Sequence, residues 1–369
     1  MIVQEYLRAG GNPEGLEEKY FIKHNRHGKY PNLCQFKYNM ISSDFSLPIV
    51  CECRGLILDE ANNWEVVANV WPKFFNYGEG RAAIIDWCSA TVQEKADGSL
   101  AILYFYNNEW LIATSGMPDA AGQVNGFEFT FAELFWKVFA EKKYSLDWCR
   151  TERTYLFELM TPYNRVVVQH SANDLKLISM RDKKGEEWLW DAPRANFERV
   201  RQFSLSSFED IFTTFTEINP LQQEGYVVVD GNGNRVKVKH PGYIALHHAK
   251  DSFGPREFVR VIRMGETEEF KLFLKEFPEW MNYFTVIRER FEALVTELES
   301  AYEKIRDIPI QKDFAFAAME NKMSGALFAI RNKKVATVRE YLADMSINNL
   351  IEYLDARNIT IPEGKEENV

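Results

Sequence analysis

The 369-residue chain is poor in cysteine, in excess positive charge and in long apolar runs. Its five cysteines form no CxxC pair, and none occurs beyond Cys149. This pattern fits neither a disulfide framework nor a zinc cluster, so we expect a reducing compartment. No run approaches the roughly 20 apolar residues that span a bilayer, and the first residues lack the basic and apolar regions of a signal peptide. We therefore expect a soluble cytoplasmic protein that does not act at a membrane.

The formal net charge of -10 excludes a whole-molecule positive field that would draw the protein onto nucleic acid. Any site for nucleic acid or polyphosphate must therefore be a local basic patch. Hydrophobic residues make up 46% of the chain and charged residues 27%, which excludes disorder for most of it. The length exceeds the usual limit of one hydrophobic core and predicts two domains.

Short β-rich runs separated by turn residues extend from residue 48 to about residue 239. Turns rich in Asp, Asn and Gly at 182–185 and 230–234 predict hairpins, and hence antiparallel neighbours. One helix, predicted at 129–142, interrupts this region because its apolar residues recur at helical spacing. The predicted strands are 56–58, 65–70, 101–106, 110–113, 154–160, 175–180, 225–229 and 235–239.

After about residue 252 the apolar period changes to 3.6 and predicts helices at 258–277, 279–306, 312–328 and 333–345. Pro309 interrupts the run, and the polar tail from residue 363 is predicted to fray. The predicted fold class is therefore α+β: an antiparallel-sheet domain over residues 1–250, followed by an all-α domain over residues 251–369.

The sharpest local motif is Glu94-Lys95-Ala96-Asp97-Gly98-Ser99, between two apolar strand-like runs. The pattern K-x-D-G alone is a weak signal of function, because average residue frequencies produce it in roughly one chain in ten of this size. Taken alone, it describes a lysine that leads into an ordinary Asp-Gly turn. Five further fragments accompany it in the chain: Glu52-Cys53-Arg54-Gly55, Pro72-Lys73-Phe74-Phe75-Asn76, Phe157-Glu158-Leu159-Met160, Glu224-Gly225-Tyr226-Val227 and Lys237-Val238-Lys239.

This ordered series resembles the covalent nucleotidyltransferases, the superfamily of ATP-dependent polynucleotide ligases and messenger RNA capping enzymes. The runs Phe36-Lys37-Tyr38-Asn39 and Pro162-Tyr163-Asn164-Arg165, with the helical C-terminal domain, resemble the phage-type RNA ligases that repair broken transfer RNA. The resemblance implies a nucleotidyltransferase domain, ATP as co-substrate and Mg²⁺ or Mn²⁺. It also implies an RNA substrate with 5′-phosphate and 3′-hydroxyl ends, such as nicked transfer RNA, and an end-healing kinase or phosphatase as a partner. We expect a monomer.

The resemblance makes Lys95 the nucleophile that attacks the α-phosphate of ATP and forms lysyl-AMP. A lysine with the usual pKa of about 10.4 is protonated at neutral pH, so we expect burial and neighbouring cations to lower the pKa of Lys95. Lys237 and Lys239 alternate with valines, so a strand would aim both amines at one face. The resemblance places them at the α-phosphate. Without the other motifs, a solvated turn lysine and an exposed strand face remain the simpler interpretations.

Two carboxylates, Glu158 and Glu224, occur in otherwise apolar strands, where an unpaired charge is costly to bury. They therefore need partners. The resemblance implies that Glu158 accepts a hydrogen bond from the ribose and that Glu224 helps to hold the divalent ion, through water as Mg²⁺ prefers. Without the motif series, both would be strand-end carboxylates that face solvent.

The resemblance also assigns nucleotide contacts to residues outside these motif centres. Arg54, Lys73 and Tyr38 would hold the β- and γ-phosphates, where a guanidinium offers a fork of donors. The chain departs from the family at Ser115, which precedes Gly116 where the family often has a lysine, so we expect one cationic contact to be missing. The remaining assignments are Glu94 and Gly98 to nucleotide binding, Ile178 and Val227 to the two faces of adenine, Asp97 to the later two reaction steps, and Tyr243 to a family tyrosine.

Two other classes of function remain open from the sequence. A DNA ligase or a capping guanylyltransferase would place a β-rich module after the first domain, and the helical pattern argues against both. A non-catalytic RNA-binding or nucleotide-sensing protein would keep only the fold. The presence of Lys95, Glu224, Lys237 and Lys239 argues against that alternative.

Overall fold

The computed structural model describes residues 1–125, 127–188, 196–252, 254–278 and 280–359. The chain divides into a unit of Met1–Ala245 and a second unit that begins at Leu246. The predicted boundary at residue 250 lies in the same helix, Pro241–Ser252. The predicted frayed tail lies outside the described residues. Within the described part of the chain, no helix is both long and apolar enough to cross a membrane.

The described strands belong to three sheets, with orders β1-β2-β3-β4, β10-β9-β7-β8 and β11-β6-β12-β13-β5. All pairs are antiparallel except β13 with β5. The strands are β1 (Ile22–Arg26), β2 (Leu33–Tyr38), β3 (Arg54–Asp59), β4 (Glu65–Ala68), β5 (Phe75–Asn76), β6 (Thr91–Lys95), β7 (Ser99–Tyr106), β8 (Glu109–Ala113), β9 (Arg153–Met160), β10 (Asp174–Asp182), β11 (Gln202–Phe203), β12 (Gly225–Val229) and β13 (Arg235–Lys239).

The helices of the first unit are short, and those after residue 241 follow one another closely. They are α1 (Ile2–Arg8), α2 (Pro13–Tyr20), α3 (Pro48–Glu52), α4 (Phe131–Glu141), α5 (Phe208–Thr214), α6 (Pro241–Ser252), α7 (Pro255–Met264), α8 (Glu268–Glu276), α9 (Trp280–Ile305), α10 (Gln311–Met319), α11 (Ser324–Arg331), α12 (Val338–Asp344) and α13 (Ile347–Tyr353). The predicted α+β class, with antiparallel sheets before an all-α region, is confirmed.

Two predicted helices are each divided in the structure. The helix predicted at 258–277 becomes α7 and α8, because Gly265 ends α7 with a φ of 97°, a conformation that suits glycine. The helix predicted at 312–328 becomes α10 and α11, between which the Asn321 side chain accepts a hydrogen bond from the Met323 amide. Helical periodicity continues across both breaks, so the apolar pattern alone did not show them.

The five-stranded sheet positions the candidate site through the alternation of its strands. Val228, Val236 and Val238 are buried on one face, in a cluster that also contains Val92 and Tyr226. The intervening residues of β6, β12 and β13 point to the opposite face. Burial of the valines therefore fixes which way the polar side chains of the same strands point.

Gly225 is the residue at which the three strands of the site meet. It pairs with Lys95 on one side and with Lys239 on the other. Its φ is 146°, and a Cβ placed on it would lie 2.2 Å from the Val238 carbonyl oxygen. Only glycine fits this close approach of β12 to β13.

We expect Gly225→Ala to lower the free energy of unfolding by at least about 3 kcal/mol, because it adds both overlap and strain. The matched control is Gly233→Ala in the β12–β13 turn, where φ is 81° but no atom lies within 4 Å of the added Cβ. That variant should lose only about 1–2 kcal/mol, from strain alone. Urea unfolding of both variants measures the difference, and equal losses would contradict the packing argument.

Candidate active site

Lys95 and Lys239 share one buried carboxylate, that of Glu224. Lys95 ends β6, Lys239 ends β13, and Glu224 immediately precedes β12, which lies between them. The Glu224 oxygens lie 2.6 Å from Lys95 Nζ and 2.9 Å from Lys239 Nζ. The Glu224 side chain is 3% exposed, whereas that of Lys95 is 21% exposed. The sheet register thus joins three residues that are far apart in the sequence.

The charge state of Lys95 differs from the expectation drawn from the sequence. Burial, the largest single influence, lowers the pKa of Lys95, as expected. The carboxylates of Glu224, Glu158 and Asp97 together outweigh burial, so the pKa of Lys95 is raised. The expectation of a lowered pKa is therefore wrong for this arrangement, because the nearest charge is a carboxylate. Lys95 is held as an ammonium group.

A cavity with about 600 Å³ of empty space, open solvent included, lies beside Lys95, between the face of β6, β12 and β13 and residues of β7, β9 and β10. Ile178 and Val227, predicted to cover the two faces of adenine, both line it. Five other predicted site residues also line this cavity: Arg54, Glu94, Lys95, Glu158 and Lys237.

The cavity is rich in positive charge. Burial and, after it, the charges of Arg54, Lys95, Lys73 and Lys239 lower the pKa of Lys237 to about 7. The Arg54 guanidinium and the Lys237 amine lie 5.0 and 4.6 Å from the centre of the Phe74 ring. Arg54 Nη1 is buried and has no hydrogen-bond partner among the described residues. A buried donor without an acceptor, among mutually repelling cations, indicates a site for a polyanion.

Two of the ligands predicted for the β- and γ-phosphates, Tyr38 and Lys73, lie outside this cavity. Tyr38 lines a wider cleft that also includes Arg54 and Lys95. Lys73 Nζ lies 4.2 Å from the ring centre of Phe45 and 5.1 Å from that of Tyr38. The Lys73 amine thus packs against aromatic rings. Its assignment to the β- and γ-phosphates stays a prediction.

Glu158 faces both Lys95 and the backbone of the motif turn. Its carboxylate accepts a hydrogen bond of 3.0 Å from the Gly98 amide. Burial raises the pKa of Glu158 to about 7, although Lys95 acts in the opposite direction. A Cβ on Gly98 would lie 2.3 Å from the Leu159 carbonyl oxygen, so this turn requires glycine.

Asp97 is buried, and protein groups occupy its carboxylate. One oxygen accepts hydrogen bonds from the amides of Val167 and Val168, at 2.9 and 2.6 Å. The other accepts the Tyr243 hydroxyl at 2.7 Å. This arrangement favours a positioning role for Asp97, in which it holds the motif turn, and its assignment to the later reaction steps stays a prediction. Tyr243, noted in the sequence only as a matching aromatic, acquires a role as the donor.

Glu94 is likewise engaged, with two cations. Its oxygens lie 3.2 Å from Lys176 Nζ and 3.2 Å from the Arg201 guanidinium. Arg201 and Lys176 lower the pKa of Glu94, against burial, which is the largest single influence and raises it. Glu94 therefore remains charged and paired at the edge of the cavity.

Several cavity residues were not predicted from the sequence. Trp71 and Phe74 line the cavity beside Arg54, and Arg235 lies over the Trp71 ring at 5.2 Å. Phe74 belongs to the motif fragment at 72–76, in which a role was predicted for Lys73 alone. Gln93 gave none, because its place on the cavity face follows from its register with Val227.

The residues that would hold a divalent ion are few. Among the described residues, no group of three or more His, Cys, Asp or Glu side chains forms a metal cluster. This fits Mg²⁺ or Mn²⁺ bound by one carboxylate, water and nucleotide phosphates rather than by a protein cage. The Glu224 oxygens are paired with Lys95 and Lys239, and the assignment of Glu224 to the divalent ion stays a prediction.

The low pKa of Lys237 predicts proton uptake when a polyphosphate binds. An anion beside Lys237 favours the ammonium form and raises its pKa, so at pH 8 up to about one proton enters per bound ligand. Calorimetric titration with tripolyphosphate in buffers of different ionisation enthalpy measures this uptake.

Lys237→Met should abolish the uptake, whereas the control Lys184→Met, on an exposed turn, should retain it. A binding enthalpy independent of the buffer would contradict the assignment.

The same pKa affects stability without ligand. Between about pH 7 and pH 10.5 the Lys237 amine carries a proton in the unfolded chain but not in the folded protein, so Lys237 makes the free energy of unfolding rise with pH across that window.

Comparison with known proteins places this site in a family. The chain is 26% identical over 372 residues to an RNA ligase of Rhodothermus phage RM378, covering 82% of each protein. It is 25% identical to a protein of Autographa californica nuclear polyhedrosis virus named for a bifunctional polynucleotide kinase/RNA ligase, covering 76% of this chain and 44% of that one. The chain thus spans less than half the length of the second relative.

Two solved structures show more distant similarity. One is an archaeal ATP-dependent RNA ligase, 12% identical, with a TM-score of 0.43, covering 94% of this chain and 80% of that one. Another is an RNA ligase of Naegleria gruberi with pyrophosphate, 14% identical, with a TM-score of 0.33, covering 43% of this chain and 52% of that one.

The model of the RNA ligase family matches residues 52–243. This match covers more than half of the chain and includes Arg54, Lys95, Glu158, Glu224 and Lys237. The chain therefore belongs to the RNA ligase family, which confirms the resemblance seen in its motifs.

Proposed function

We propose that the protein is an ATP-dependent RNA ligase that works through a lysyl-AMP intermediate at Lys95. The observation that carries this proposal is the position of Lys95, which is partly exposed at a cavity where Arg54 and Lys237 form no ion pair with any described residue. In this cavity a nucleoside triphosphate has apolar walls for its base and cations for its phosphates.

The proposed reaction has three balanced steps. Lys95 Nζ attacks the α-phosphorus of ATP; an N–P bond forms, the α–β bridging P–O bond breaks, and pyrophosphate leaves as the amine loses its protons. An RNA 5′-phosphate oxygen then attacks the same phosphorus, which breaks the N–P bond and transfers AMP to the RNA end. Finally an RNA 3′-hydroxyl attacks the 5′-phosphorus, a phosphodiester forms, its proton is released and AMP leaves.

Most of the predicted residues have a task in this scheme. Ile178 and Val227 hold the adenine between them, and Glu158 accepts a hydrogen bond from the ribose. Lys237 and Lys239 stabilise the negative charge that develops as pyrophosphate leaves. Arg54, with Lys73 and Tyr38 nearby, binds the outer phosphates.

Lys95 must lose its ammonium proton before it can attack, and Glu224 prevents this loss in the resting arrangement. Because Glu224 raises the pKa of Lys95 and burial lowers it, drawing the carboxylate away from Lys95 leaves burial to favour the neutral amine. A divalent ion held by Glu224 and the nucleotide phosphates would supply positive charge at the α-phosphate. Glu224 thus controls the charge of the nucleophile.

Intact mass spectrometry tests the first step. Incubation with ATP and Mg²⁺ should add the mass of one AMP, and mild acid should remove it because a phosphoramidate is acid-labile. Lys95→Ala should carry no adduct, whereas the control Lys184→Ala should carry the wild-type amount. An adduct that persists in Lys95→Ala refutes the nucleophile, and labelling by GTP in place of ATP refutes an ATP-dependent ligase.

We further infer that the natural substrate is a nicked structured RNA with a 5′-phosphate and a 3′-hydroxyl, such as a transfer RNA broken in its anticodon loop. This rests on the resemblance to phage-type repair ligases. Ends of other chemistry would need an end-healing kinase and phosphatase first, and the name of the Autographa virus relative combines a kinase with a ligase.

A competition between substrates tests this inference. Nicked transfer RNA and an unstructured RNA of equal length, both with 5′-phosphate and 3′-hydroxyl ends, would be ligated in one tube. We expect a kcat/KM at least about tenfold higher for the nicked transfer RNA, equivalent to 1.4 kcal/mol of extra transition-state binding. Equal values would contradict the repair role and leave the ligase activity intact.

A further inference from the structure

A second cavity opens beside Lys95, wider than the first. Its empty space, open solvent included, is about 1960 Å³, against about 600 Å³ for the first cavity. Arg54, Lys95, Leu100 and Glu158 line both cavities, so the wide cleft reaches the nucleophile. It therefore has room for an extended ligand next to a bound nucleotide.

Three cations stand side by side along one wall of this cleft. Lys37 on β2 pairs in register with Lys23 on β1 and with Arg54 on β3, and all three line the cleft. Like charges on directly opposed strand positions repel and destabilise a sheet. Among the described residues, no carboxylate lies within 4.0 Å of Lys37 Nζ, and Glu158 is the one acidic residue in the cleft lining. The wall is therefore suited to an anionic ligand.

Lys37 lies against the floor of the cleft, which the Ser115-Gly116 backbone forms. A Cβ on Gly116 would lie 3.2 Å from Lys37 Nζ, so the amine lies directly over the Ser115-Gly116 backbone. The same face of β1 and β2 is anchored there, because Asn25 and Gln35 donate hydrogen bonds to the carbonyl groups of Gly116 and Thr114, at 2.7 and 2.8 Å. Ser115, where the sequence predicted a missing cation, thus has an amine from another strand beside it.

We propose that the cleft walled by Lys23, Lys37 and Arg54 binds the 5′-phosphate end of the RNA strand, with Lys37 on the terminal phosphate. Arg54 lines both cavities, whereas Lys37 and Lys23 line the wide cleft alone. A phosphate bound to Lys37 would therefore lie in the wide cleft, outside the nucleotide cavity. Asn25, Asn39 and Thr114 add polar groups for a sugar-phosphate chain, and Met40 and Ile41 are exposed at the cleft for contact with bases.

This proposal rests on the proposed function and deepens it by assigning the site of the second substrate. The first experiment measures binding of a short RNA with a 5′-phosphate and of the same RNA with a 5′-hydroxyl, by fluorescence anisotropy. Wild-type protein should prefer the phosphorylated strand. In Lys37→Met this preference should fall by roughly tenfold or more, the worth of one charged hydrogen bond. The slope of log affinity against log salt should fall by about 0.7 for the phosphorylated strand.

Lys37→Arg should retain most of the preference, and Lys184→Met should retain all of it. The melting temperature is the control for misfolding. Because Lys37 repels its neighbouring cations, Lys37→Met should have a melting temperature no lower than that of the wild type. An equal loss of affinity for both strands would overturn the assignment to the terminal phosphate, as would an unchanged preference.

A second experiment separates this proposal from the function on which it rests. Transfer of label from ATP to the protein reports the first step, and sealing of 5′-phosphate RNA reports the complete reaction. Lys37→Met should lower sealing at least about tenfold more than label transfer. An equal loss in both would place Lys37 on ATP and overturn the proposal, whereas no label transfer in the wild type would overturn the proposed function itself.

Discussion

The ion-paired group of Lys95, Glu224 and Lys239 is the interaction on which the rest of the site depends. It forms where β6, β12 and β13 lie side by side, and Gly225 allows the strands to approach closely enough. The buried valines on the other face fix the orientation of the strands, each with about 1.5–3 kcal/mol of burial free energy. The pairing of these strands thus brings together Lys95, Glu224 and Lys239, of which Lys95 is distant from the other two in the sequence.

The two lysines of the cavity differ in charge because their neighbours differ. Glu224 and Glu158 keep Lys95 an ammonium group, whereas Lys237 faces other cations and has a pKa of about 7. A polyanion in the cavity would offer Lys237 a partner. The cavity thus has a charge distribution that a nucleotide would complete, which is a form of preorganisation.

Of the strands next to the motifs, β9, β12 and β13 were predicted, and β12 and β13 match the predicted limits because their alternation is strict. The sequence did not predict β6, which ends at Lys95, or the short strands β5 and β11. It did not predict β1 and β2, where polar residues such as Lys23, Asn25 and Lys37 interrupt the apolar pattern. These polar residues face the cleft, so the weak pattern came from a candidate binding surface. The direction of the pKa shift of Lys95 was mispredicted for a related reason. It depends on which charged group lies nearest to the amine, and the sheet register determines which group that is.

Ser115 shows why a motif comparison reads a site incompletely. A comparison along the chain records the loss of a cation at this position, because it asks which side chain each position carries. Binding depends instead on where the charge lies in space, and Lys37 brings its amine over the neighbouring Gly116 from a different strand. A glycine at position 116 leaves room for that amine, and a small serine beside it leaves the cleft open. Residues 37, 115 and 116 therefore meet in one part of the cleft, and the electrostatic character of the cleft is a property of the fold rather than of any one of its motifs.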